Sequence, residues 1–225
     1  MWRELMENLA NSSAVLMVVL VAGMLWGEWT HRRAVYGLFK MLGAALFLAV
    51  AFRYGLNLEG QNGWFQAGFV AAAIGDAFLI SSDKKMFKIG ILAFLLGHVL
   101  YMVGVWGLPR DFSTLRLLGL SGVVLFTVIV IGFLWKKLSP SFRPLVSGYI
   151  LVLSSLMALT SISHPMMDSW GPFFWSITFA ASDLCVARNR FIQESPWNRV
   201  VGLPLYFGAQ LYLAWQFASW MTAQV

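Results

Sequence analysis

Long apolar stretches alternate with short polar ones along the whole chain. No segment shows the strict two-residue alternation of a barrel strand. Eight apolar stretches stand out, at about 13–30, 34–52, 64–82, 86–106, 115–135, 144–162, 171–187 and 201–221. Runs of roughly 17 to 25 apolar residues are long enough to cross the hydrocarbon of a bilayer as helices. In lipid the main-chain N–H and C=O groups find no water, so only helices or closed barrels satisfy them. The pattern therefore predicts an all-α membrane protein with eight transmembrane helices in a single membrane domain, residues 1–225. The connections are short, and none is long or polar enough to form a separate soluble domain.

Composition agrees, with 59% of the 225 residues hydrophobic and 12% charged, where a soluble domain carries about 25% charged residues. The first stretch follows MWRELMENLANSS, which has two glutamates against one arginine, and leads to no small-residue cleavage site. A retained helix is expected there and not a signal peptide. The single cysteine, Cys185, falls inside a stretch, which excludes a disulfide framework and a thiolate metal cluster.

The net charge of +6 is unevenly distributed. Odd-numbered connections and their flanks carry 11 basic residues: Arg32, Arg33, Lys84, Lys85, Lys88, Lys136, Lys137, Arg143, Arg188, Arg190 and Arg199. Even-numbered ones carry three, Arg53, Arg110 and Arg116. By the positive-inside rule the odd connections are cytoplasmic and both termini are not. The charge is thus a topology signal that also suits anionic lipid head groups, and nucleic acid is not an expected partner.

Within the spans, polar residues share one half of the bilayer. Asp76, in the run AAAIGDAFLI, lies six residues from the cytoplasmic end of the third stretch, roughly 9 Å deep at helical rise. Asp183 lies four from that end of the seventh. Lys40 follows Arg33 by seven residues, Tyr149 follows Arg143 by six, and Tyr206 and Gln210 fall early in the eighth stretch. His98 and Tyr101 are deeper, and Gly90, Phe94, His98 and Tyr101 form one helical stripe. A carboxylate at depth costs at least ~2.5–3.5 kcal/mol, so it should face the bundle or a wet cavity. Small residues beside each aspartate (Ala71, Ala72, Ala73, Gly75; Ala180, Ala181, Ser182) would let helices approach closely. A polar cavity open toward the cytoplasm is expected.

Plainer readings stand beside these. Asp76 also fits a structural ion pair with Lys40, Asp183 a capping or snorkelling role, and His98 an internally satisfied histidine. The tyrosines fit ordinary burial, and Glu28, His31 and His164 fall at span ends or in connections. The halves are similar as well. Asp76 in the third stretch corresponds to Asp183 in the seventh, and Lys40 to Tyr149, as a 4+4 parallel repeat would require.

Four segments resemble the YhhN/lysoplasmalogenase family of eight-helix membrane proteins: GDAFL at 75–79, GILAFLLGHVLY at 90–101, ASDLCVARNRF at 181–191 and LYFGAQ at 205–210. They occur in the family's order and extend over most of the chain. Met41 departs from the pattern, since the family tends to follow its lysine with proline. The resemblance implies hydrolysis of the vinyl ether bond of lysoplasmalogens, releasing a fatty aldehyde and a glycerophospho-choline or -ethanolamine. It also implies a multi-pass protein of the bacterial inner (plasma) membrane, with lysophospholipid as substrate and membrane lipid as its surroundings. Carried over by position, the family's polar set falls on Asp76, His98, Tyr101, Tyr149, Asp183, Tyr206 and Gln210, with Lys40 alongside.

Vinyl ether hydrolysis begins with protonation of the β-carbon and passes through an oxocarbenium ion. Two carboxyl groups divide such work as they do in glycosidases. Asp76 and Asp183 are the expected pair, with the proton donor between them open. His98 is placed with them, and Tyr101 and Tyr149 would orient water or tune the pair. Gln210 would hold polar atoms of the substrate, with Lys40 and Tyr206 beside it. Lys84, Lys85 and Arg188 would receive the phosphate. No cofactor is expected. Catalytic zinc wants three protein ligands, and only His98 of the three histidines lies within a stretch. The competing classes are a proton-coupled transporter, which also uses intramembrane Asp and His, and a non-catalytic lipid-binding membrane protein. Clustering of polar groups in one half of the bilayer argues against a through-path. The oligomeric state is not legible.

Overall fold

A computed structural model describes residues 2–53, 55–57, 59–163 and 170–222, with side chains between 7 and 217; His164 lies outside the described residues. The described chain forms eight helices: α1 (Trp2–Trp29), α2 (Arg33–Ala51), α3 (Gly60–Phe78), α4 (Lys84–Trp106), α5 (Thr114–Trp135), α6 (Arg143–Ser161), α7 (Gly171–Phe191) and α8 (Pro196–Thr222). Among the described residues five are long and apolar enough to cross a membrane: α1 from Glu7 onward, α2, α4, α5 and α6. The other three carry polar residues along their length, including Gln66 and Asp76 in α3, Asp183, Arg188 and Arg190 in α7, and Asn198, Arg199 and Gln210 in α8.

The apolar surface faces outward. On α5, Leu115, Leu118, Leu125, Val128 and Ile129 are exposed, and on α1 Val15, Val18 and Val19 are. Lys40, Gln66, Asp76, His98 and Gln210 are buried instead. This inversion of the soluble pattern is what a lipid solvent demands.

Sequential helices pack as neighbours: α1 on α2, α2 on α3, α3 on α4, α5 on α6, α6 on α7 and α7 on α8. Between the halves, α2 packs on α8 and α4 on α6, and α3 touches α8 more lightly. Helix α1 also packs on α8. The α3–α4 seam is the closest, because glycines line it. A Cβ on Gly97 would sit 3.4 Å from the Gly68 carbonyl oxygen, and one on Gly75 2.7 Å from the Phe94 ring. Helix α3 ends at Phe78, short of the apolar run that continues to 82, so Asp76 sits in its last turn and not six residues from its end. The chain turns there because Asp83 opens α4: its Oδ1 accepts from the Lys85 and Met86 amides at 2.8 and 3.0 Å. Those amide bonds, Met86 first, hold the Asp83 carboxyl below the usual carboxylate range.

The end of the bundle bearing the α4–α5 connection is pinned. The Asp111 amide donates to the Ile162 carbonyl at 2.7 Å, and Arg116 Nη1 to the Ser161 carbonyl at 3.1 Å. The Arg116 guanidinium also lies 3.9 Å over the Trp170 ring and 3.6 Å from Asp111. Below this clasp, Phe65, Phe69, Tyr101 and Trp175 pack edge to face or tilted, at 5.4–6.2 Å between centroids.

The α3–α4 seam yields a test. A Cβ at Gly68 would fall 2.5 Å from the Tyr101 ring, whereas one at Gly122 meets nothing within 4 Å. Gly68→Ala should therefore cost ~1–3 kcal/mol of stability and Gly122→Ala none, read as melting temperature in detergent. Equal melting of the two variants would contradict the packing.

Candidate functional site

The first polar cluster joins α2, α3 and α8. Lys40 Nζ lies 3.3 Å from Asp76 Oδ1, with only 5% and 1% of the two side chains exposed. Tyr206 Oη donates to Asp76 Oδ2 at 2.6 Å. Behind it, Gln210 Nε2 reaches Tyr206 Oη at 3.5 Å and Tyr101 Oη donates to Gln210 Oε1 at 3.1 Å. The pairing follows from helix position. Tyr206 and Gln210 are four apart on α8, so both face α3 and α4. Tyr36, four before Lys40, brings its ring 5.9 Å from the ammonium. A buried carboxylate next to a buried ammonium, with its other oxygen capped by a phenol, is satisfied on both sides.

The second cluster joins α4, α6 and α7. Tyr149 Oη donates to Asp183 Oδ2 at 2.7 Å. His98 Nε2 lies 3.8 Å from the same oxygen and has no hydrogen-bond partner, while Nδ1 lies 2.7 Å from the Phe94 carbonyl oxygen. The imidazole is held edge to face between Tyr149 and Phe179, at 5.2 and 4.7 Å between centroids. Phe179 also packs on Tyr206 at 5.4 Å, so a single ring links the two clusters.

Both carboxylates open on one cavity of about 740 Å³. That is the size range of small-molecule sites. Its polar wall includes Tyr36, Lys40, Asp76, Tyr149, Asp183 and Tyr206. Its mouth lies among the α3–α4, α5–α6 and α7–α8 connections, where Lys84, Lys137, Arg190 and Arg199 line it. Arg199 pairs with Glu28, and the Arg190 guanidinium lies 4.4 Å over Phe87.

Some residues expected at the site are elsewhere. His98, Tyr101 and Gln210 are not in the cavity wall; they stand behind Asp183 and Tyr206 as a buried second layer. Lys84 is in the wall, but Lys85 and Arg188 are not. Lys85 lies in the first turn of α4 beside the Asp83 cap. Arg188 turns instead to α8, where it donates to Asn198 Oδ1 at 2.6 Å. Sequence reasoning missed Tyr36, Lys137, Arg190 and Arg199 as wall residues. The spacing of Tyr36 to Lys40 was a usable signal; the three cations were legible only as topology markers. Among the described residues no group of three or more His, Cys, Asp or Glu is arranged to hold a metal ion.

The sequence profile of the YhhN family matches residues 35–217. The chain is similar to lysoplasmalogenase TMEM86A of Bos taurus, 28% identical over 155 residues covering 65% of this chain and 62% of that protein. It is similar to the Homo sapiens protein of the same name, 29% identical over 154 residues at the same coverage. Lysoplasmalogenase TMEM86B of Mus musculus is 28% identical over 166 residues, 73% of this chain and 68% of that protein. The match thus spans 62% of the length of the first two relatives. No solved structure matches. The family profile runs from the start of α2, through both carboxylate clusters, to the last described side chain of α8, and the chain belongs to the YhhN family.

Proposed function

We propose that the protein hydrolyses the vinyl ether bond of a lysoplasmalogen, releasing a fatty aldehyde and a glycerophospho-base. The observation that carries this reading is the meeting of Asp76 and Asp183 on the wall of one cavity whose mouth is basic. The names of the relatives point the same way. One carboxyl protonates the vinyl β-carbon. The other, ionised, faces the positive charge that develops on the adjacent carbon and oxygen. Water adds to that carbon, and the hemiacetal parts into aldehyde and alcohol. This division of labour parallels the two carboxylates around a glycosidic oxocarbenium. The basic mouth receives the phosphate, with Lys137 and Arg190 taking the role first given to Lys85 and Arg188.

All eight helices cross the membrane in this reading, and the odd-numbered connections face the cytoplasm of a bacterial inner membrane. The two halves form a parallel repeat. Its support is the matched neighbour pattern: α1–α2 with α5–α6, α2–α3 with α6–α7, α3–α4 with α7–α8, and α2–α8 with α6–α4. Exchanging the halves carries Asp76 with its α2 and α8 partners onto Asp183 with its α6 and α4 partners. Among the described residues α1 packs on α8 without a comparable α5–α4 contact, which marks where the halves diverge. The aromatic layer beneath the Arg116 clasp favours an enzyme over a carrier, because it fills the half of the bundle that a transport path would cross.

The purified protein should release aldehyde from lysoplasmenylcholine or lysoplasmenylethanolamine and not from the saturated alkyl ether. Asp76→Asn and Asp183→Asn should each lose about 10²–10⁴-fold in kcat. Folded wild-type protein that releases no aldehyde from either substrate would end the reading. Lys137→Ala with Arg190→Ala should raise KM about tenfold or more, as loss of charge-assisted phosphate contacts does, and leave kcat unchanged. An unchanged KM would remove the phosphate from the mouth.

A further inference from the structure

The two carboxylates occupy similar frames but have partners of different kinds. Asp76 faces the Lys40 ammonium. Asp183 has no lysine or arginine within ion-pair distance among the described residues; its neighbours are the Tyr149 phenol and the His98 imidazole. Donor and acceptor roles then restrict where protons can be. The Phe94 carbonyl oxygen only accepts, so the His98 Nδ1 beside it carries a hydrogen and donates. Edge contacts from Tyr149 and Phe179 hold the ring in that orientation. In a neutral ring, Nε2 then presents a lone pair. It faces Asp183 Oδ2 across 3.8 Å, and it is a buried nitrogen without a hydrogen-bond partner. Two lone pairs facing each other in a buried site are unfavourable. A proton on either side turns the same geometry into an attraction: a carboxylic acid directed at Nε2, or an imidazolium directed at a carboxylate.

We propose that Asp183 and His98 hold one exchangeable proton between them and that Asp183, which lines the cavity, delivers it to the substrate. The delivery rests on the lysoplasmalogenase reading above; the shared proton does not. In balance, the proton leaves the Asp183–His98 pair and forms the new C–H bond at the vinyl β-carbon. The ether oxygen and its carbon become the oxocarbenium. Water adds to that carbon and its proton returns to the pair, so the pair is restored and only substrate and water are consumed. The hemiacetal C–O bond then breaks toward the glycerol oxygen, with a proton passing from the hemiacetal hydroxyl to that oxygen. Asp76, compensated by Lys40, remains the anion. Asp183 is the catalytic acid. His98, which does not reach the cavity, is a positioning residue that acts through it. The other titratable groups near Asp183 are Tyr149 from α6, Tyr206 from α8 across the cavity, and Cys185 from α7 itself; Lys40 from α2 is engaged by Asp76 of α3.

The chain has three histidines, so wild-type protein labelled with 15N-histidine in nanodiscs answers directly, and His98→Gln identifies the signal. The expected His98 ring is either an imidazolium or a neutral ring protonated at Nδ1 alone. Asp183→Asn should alter that signal and Asp76→Asn should leave it in place. A ring protonated only at Nε2, or one indifferent to Asp183→Asn, overturns the shared proton. On lysoplasmenylcholine, His98→Gln should lower kcat about 10²-fold, keep KM, and displace the alkaline limb of the kcat–pH profile. A limb that does not move assigns His98 a packing role and overturns its part in the acid. Absence of aldehyde from the wild-type protein overturns delivery to a vinyl ether, and the ring signal then decides the pair by itself.

Discussion

Two carboxylates inside a largely apolar bundle have to be compensated from within, and much of the interior is arranged around that demand. An unpaired charge at bilayer depth costs several kcal/mol, and losing one partner of a buried pair costs ~3–5 kcal/mol. Asp76 meets the demand with Lys40 from α2 and Tyr206 from α8, so three helices converge on one side chain. On the other side of α3, the glycines at 68, 75, 90 and 97 bring α4 close. Tyr101 then fills the seam and passes the hydrogen-bond chain to Gln210. Packing and polar satisfaction are one arrangement in this core.

Hydropathy made the helices legible, since a lipid solvent leaves few other solutions for long apolar runs. It was less able to mark their ends. The apolar run of α3 reads through Leu79 and Ile80, but the Asp83 cap starts the next helix early, and Asp76 ends nearer the helix terminus than the run implies. Depth and spacing picked out Asp76, Asp183, Tyr149 and Tyr206, because a polar residue at depth has few places to go. Direction around a helix was harder at the basic end. Lys84 and Lys85 are adjacent, so one faces the cavity and the other does not. Arg188 and Arg190, two apart on a helix, likewise point to different neighbours. Hydropathy cannot separate such pairs, since charge at a helix end is tolerated in every direction.

The two carboxylates draw their partners from corresponding helices, but the partners differ in chemistry. Each central carboxylate takes one partner from the preceding helix and one from the last helix of the opposite half. In one half those partners are an ammonium and a phenol; in the other they are a phenol and an imidazole. Matched positions with unlike partners hold two carboxyl groups in different electrical surroundings on the wall of one cavity.

The clasp of Arg116, Asp111 and Trp170, with the aromatic layer beneath it, lies opposite the cavity's mouth. A basic mouth at one end and a packed clasp at the other impose an order on traffic. Whatever occupies it has to withdraw before a successor is seated, and an amphiphile must keep its polar head at the threshold while its tail finds the interior.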